Sequence, residues 1–158
     1  MDAKTALRFA ASIVSCELAG AIGSIATVPN IPAWYATLDK PSFSPPNWVF
    51  FPVWTTLYAL MGGSLAIILG MDIKVKGVKL ALGLFVVQLY LNVLWSFAFF
   101  GGHSPWAGVT VILLLWLSIA LTIAVFSKLS KTAAWLMVPY ILWVSFAALL
   151  NVAIALAN

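Results

Sequence analysis

Charge is scarce in this chain. Its 158 residues are 8% charged, against about 25% in an ordinary soluble domain. A soluble fold of this size needs polar groups to cover its surface, so the composition excludes that class. Between Lys79 and Lys128 the only ionisable side chains are Tyr90 and His103, and no charge occurs from Pro41 to Met71 or from Thr132 to Asn158. One cysteine, Cys16, excludes an intramolecular disulfide, and its apolar setting makes it a small core residue. With one histidine and no spaced carboxylate pair, neither a metal cluster nor conventional acid–base chemistry is expected. There is no glycine-rich phosphate loop. The net charge of +4 comes from scattered loop residues and does not form a nucleic-acid surface.

What is present is hydrophobic length. A bilayer needs about 20 apolar residues per helix. Five such segments occur, about Thr5 to Val28, Trp48 to Gly70, Leu80 to Phe100, Pro105 to Phe126 and Ala133 to Leu156. The predicted fold is therefore an all-α integral membrane bundle of five spans in a single domain. Lys4 and Arg8 before the first span resemble a signal peptide. The long apolar stretch, followed by Pro29 and Pro32, reads as a retained helix. Residues 29–47 hold five of the eight prolines and are read as one long first loop, a lid over one end of the bundle. Seven of the eight basic residues fall on the N-terminal side, and only Lys40 falls opposite. The positive-inside rule places the N-terminus in the cytoplasm and the long loop and C-terminus on the other side.

Tryptophan is abundant, with eight residues. At helical spacing, Phe51, Trp54 and Tyr58 share a face, as do Gln88, Asn92, Trp95 and Phe99, and Pro139, Trp143, Ala147 and Asn151. Amides avoid lipid tails, so Gln88 and Asn92 are expected to point inward. Such faces either pack as core or enclose a flat apolar pocket with a few polar groups. Glu17, near the middle of the first span, is a costly carboxylate there. It is expected to face inward and find a polar partner. Gly62, Ala66 and Gly70, and likewise Gly77 and Ala81, form small-residue series that let helices approach, within or between protomers. His103, in a Gly-Gly-His-Ser turn, is expected to be exposed.

Read in order, Trp34-Tyr35, Lys40-Pro41, Pro45-Pro46-x-Trp48-Val49-Phe50, Pro52-x-Trp54-Thr55-x-x-Tyr58, Gln88-Leu89-x-x-Asn92-x-x-Trp95, Phe99-Phe100-Gly101, Val138-Pro139-Tyr140-x-x-Trp143 and Asn151 resemble the translocator protein family, also called tryptophan-rich sensory proteins or peripheral-type benzodiazepine receptors. The resemblance spans nearly the whole chain. It implies a five-helix bundle, commonly a homodimer, that binds porphyrins such as protoporphyrin IX and other lipophilic small molecules without a required cofactor. By motif, Trp54, Asn92, Trp143 and Ala147 would line the pocket between the helices, with Trp34 and Tyr35 from the loop and Tyr58, Trp95 and Phe99 as neighbours. If the protein is a light-dependent porphyrin-degrading enzyme, Trp54 and Trp143 would be its catalytic residues. Transport of tetrapyrroles is a third function the resemblance allows. The animal cholesterol motif needs a tyrosine followed by a basic residue. The chain ends Asn151-Val-Ala-Ile-Ala-Leu-Ala-Asn158 with neither, so cholesterol is not expected there. The short tail and the absence of a transit-type N-terminus lead to the expectation of a prokaryotic member.

Overall fold

The computed structural model describes residues 2–158. It consists of helices α1 (Ala3–Ala33), α2 (Phe50–Leu69), α3 (Val78–Ser96), α4 (Pro105–Leu129), α5 (Lys131–Leu136) and α6 (Val138–Ala157), with no strand among the described residues. Five segments are long and apolar enough to cross a membrane, the last of them made of α5 and α6 together. The protein is an all-α, multi-pass membrane bundle.

The N-terminus of α1 is capped by Asp2, whose carboxylate accepts from the Thr5 amide at 3.0 Å. The helix does not stop at Val28. It runs through Pro29 and Pro32 to Ala33. Each proline removes one backbone donor, a loss that membrane helices tolerate where local groups compensate. The carbonyls that lose an amide are those of Ile25 and Val28, and nearby the Asn30 side-chain amide donates to the Ala26 carbonyl at 2.8 Å and the Thr27 hydroxyl to Gly23 at 3.2 Å, adding bonds to the same stretch of helix. The expected long loop is therefore corrected. The connection to α2 contains two short 3₁₀ turns, Tyr35–Thr37 and Asn47–Val49, and only Trp34 and residues 38–46 lie outside helix.

The last span is kinked at Met137. Pro139, in the first turn of α6, has no amide to donate back to Trp135, and its ring crowds that carbonyl. The chain recovers through Met137 N donating to Ala134 O and Ile141 N donating to Met137 O. At the turn into α3, Gly77 takes φ +99°, a left-handed conformation suited to glycine.

The core runs down the axis, where Met61, Phe85, Ile119, Phe126, Met137 and Tyr140 are buried. Phe85 of α3 and Phe126 of α4 stack 6.2 Å apart. The α1–α2 contact uses the small-residue face of α2. A Cβ on Gly62 would fall against the Ile13 backbone, and one on Gly70 would meet the Arg8 guanidinium. Ala66, between them, is fully buried. This series is spent within the chain.

Candidate functional site

α1 and α2 are antiparallel. They are in close contact at Gly62–Ile13 and Gly70–Arg8. Between their other halves, closed at the back by α3 and α6, lies a cavity of about 480 Å³. Its α2 wall is Phe50, Phe51, Trp54 and Tyr58. Asn92, Trp95 and Phe99 come from the third span, and Ala147 and Leu150 from α6. Ser24 and Val28 of α1 and Phe51 and Thr55 of α2 border the cavity while remaining exposed on the bundle's side.

Two buried amides hold the back wall. Asn92 accepts from the Tyr58 hydroxyl at 2.5 Å and donates to the Tyr140 oxygen at 2.9 Å, joining α2, α3 and α6. Asn151 accepts from the Trp95 indole N–H at 3.0 Å and donates to the Pro105 carbonyl at 3.0 Å, joining α3, α4 and α6. Every polar atom of these amides that points inward has a protein partner of suitable length. Gln88 also faces inward and is fully buried, yet neither end of its amide has a partner among the described residues.

The end of the cavity nearest the α1–α2 connection is aromatic. After Ser96 the third span widens into a π turn, Phe97–Gly101, closed by Gly102 N donating to Phe97 O at 2.7 Å. Such turns accommodate one extra residue in the helix and re-aim the side chains around it. The consecutive residues Phe99 and Phe100 are both buried and meet edge-to-face at 4.8 Å. Trp95 stacks on Phe99 at 5.6 Å, and Tyr35 packs at 5.7 Å against Phe100. Close packing from α4 is possible because Gly108 has no side chain, since a Cβ there would strike the Phe99 ring.

Of the residues that the sequence pointed to, Tyr35, Trp54, Tyr58, Asn92, Trp95, Phe99 and Ala147 are brought together on one cavity. Trp34 and Trp143 stand behind it. Trp34 packs edge-on to Phe99 at 5.3 Å and stacks on His103 at 5.0 Å. Trp143 packs against Phe50 at 6.0 Å and Phe146 at 5.5 Å, and its indole N–H has no partner. His103 is exposed as expected. It also bonds Asn30 at 2.7 Å from a left-handed backbone (φ 50°), tying the end of α1 to the turn before α4.

The α1 wall was not anticipated. Gly20, Ala21, Ser24 and Ile31 border the cavity, and a Cβ on Gly20 would collide with the Tyr58 ring. Small residues here are a matter of space, and only the length of the run and its glycines hinted at it. Glu17 does face the cavity, but no side chain among the described residues partners its carboxyl.

Sequence comparison agrees with the geometry. The TspO/MBR family profile matches residues 12–157. The chain belongs to the TspO/MBR family. It is 46% identical over 155 residues to the tryptophan-rich protein TspO of Chlorobaculum tepidum, covering 98% of each chain. It is 41% identical over 143 residues to protein CrtK of Rhodobacter capsulatus, covering 90% of this chain and 88% of that one. Against the human translocator protein it is 41% identical over 120 residues, 75% of this chain and 70% of the other. The TspO/MBR assignment accounts for the five spans, and of the motif tryptophans Trp54 and Trp95 line the cavity.

Proposed function

We propose that the protein is a membrane receptor that binds porphyrins, protoporphyrin IX among them, and other flat lipophilic molecules in the cavity between α1, α2, α3 and α6. The carrying observation is the cavity itself. At about 480 Å³ it falls within the range of small-molecule sites. Eight of the residues lining it are aromatic, and indole and phenol rings offer flat faces to a macrocycle at stacking distance. One relative, from Cereibacter sphaeroides, bears the name tryptophan-rich sensory protein, which accords with a receptor. Of the two indoles that light-driven degradation would engage, only Trp54 borders the cavity. Binding is therefore the reading put forward. The receptor works as a homodimer with its N-terminus in the cytoplasm, and it needs no cofactor.

The test is a titration of protoporphyrin IX into purified protein in the dark, read by tryptophan fluorescence. Saturable quenching, weakened in Trp54→Phe and Asn92→Ala but not in Trp116→Phe, is the expected result. Trp116 is a suitable control because it lies outside the cavity and donates to Ser145 on the bundle surface. Linear quenching that is the same in all variants would mean partition into detergent and would remove the proposal.

A further inference from the structure

Several of the polar side chains on the cavity wall have their donors committed within the protein. Asn92 and Asn151 are held on both sides. The Ser24, Thr27 and Thr55 hydroxyls donate to carbonyls of their own helices at 2.6, 3.2 and 3.0 Å. Glu17 differs from the other uncommitted groups in being ionisable to an anion. It is the only carboxyl on the wall, and no cationic side chain shares the wall with it. Neither oxygen has a protein partner among the described residues. It lies within a membrane-spanning helix, one turn from Gly20, whose missing side chain makes room for the Tyr58 ring. A carboxylate kept inside a membrane without a partner is costly and marks function. Its natural complement is a charge of opposite sign brought in by the ligand.

We infer that Glu17 selects the ligand of this cavity, and that the class it favours is a flat aromatic molecule carrying a basic nitrogen, with the protonated nitrogen at Glu17 and the rings against Tyr58, Trp54 and Trp95. This rests on the cavity being the binding site. It also sets the polarity of an acidic ligand. Carboxylates of a porphyrin lie away from Glu17, toward the end of the cavity bordered by Ile31 and Asn47.

The test compares a cationic and a neutral probe on the same ring system, pyrenylmethylamine and its N-acetyl derivative, with Glu17→Gln isolating the effect of charge. Each is titrated into the full-length protein in a non-ionic detergent at neutral pH and read by tryptophan quenching. Wild type is expected to bind the amine about tenfold tighter than the amide. In Glu17→Gln, which keeps the shape, that ratio falls to about one while the amide affinity stays within about twofold. Glu17→Asp retains part of the preference, which separates charge from folding. A preference that is absent in wild type, or unchanged in Glu17→Gln, overturns the inference. Protoporphyrin IX is titrated alongside. If it binds saturably while the amine preference fails, the role of Glu17 alone is lost. If nothing binds saturably, the cavity reading falls and this inference with it.

Discussion

Two buried amides one helical turn apart have opposite situations, and the contrast predicts opposite mutational behaviour. Asn92 bridges two tyrosine hydroxyls, so Asn92→Ala leaves the buried Tyr140 oxygen without its donor. A buried polar group that loses its partner costs about 1–3 kcal/mol. Thermal unfolding in detergent should show Asn92→Ala destabilised by that order, with ligand affinity lowered as Tyr58 loses its anchor. Gln88 has no partner to lose. Gln88→Leu fills similar space without the buried amide, so its melting temperature should equal or exceed wild type. A clear drop would reveal a bond to ordered water that the amide depends on. Both residues were legible as inward-facing, because amides on a lipid face are costly. Which one is partnered was not legible, since that depends on Tyr140, a residue of the kinked last span.

At the scale of elements, the spans were readable from hydrophobic length, and their ends were not. Pro29 and Pro32 argue for a helix end in water, but a membrane helix tolerates the loss of single backbone donors, and α1 runs through both prolines to Ala33. The α1 wall of the cavity escaped notice for a related reason. It is made of glycine, alanine and serine, whose role is to leave space. The α1–α2 pairing gives a direct test of that role. Gly62→Val places a side chain against the Ile13 backbone, and overpacking of this kind costs about 1–3 kcal/mol. It should lower the unfolding temperature, whereas Gly83→Val, where a Cβ meets nothing within 4 Å, should not. The aromatic end of the cavity carries a pH signature. Burial raises the Tyr35 phenol above its ordinary value of 10.0, so the folded state holds that proton more tightly than the unfolded chain does. The resulting stability is fully present below pH 10 and is lost as pH rises beyond it. Alkaline unfolding should therefore set in at higher pH for Tyr35→Phe than for wild type. Coincident alkaline transitions would show that Tyr35 stays protonated or is already exposed.

For the whole molecule, the distribution of charge and the topology make a single statement about orientation. An odd number of spans separates the termini, so the N-terminus, the α2–α3 turn and the α4–α5 turn share one side. These carry Lys4, Arg8, Lys74, Lys76, Lys79, Lys128 and Lys131, while the α1–α2 connection carries Lys40. A bias of this size in short loops sets orientation during insertion. On the orientation proposed above, the aromatic end of the cavity lies outside the cytoplasm. Cys16 is the only cysteine and is fully buried, so a Cys16→Ala background is blind to thiol reagents. On that background a membrane-impermeant maleimide applied to intact cells should label Phe43→Cys, which is exposed in the α1–α2 connection. Asp72→Cys, exposed in the α2–α3 turn, should be labelled only after the membrane is opened. The reverse pattern would put the seven basic residues outside. A ligand would then meet the aromatic end of the cavity from the cytoplasm, and the orientation proposed for this receptor would have to be inverted.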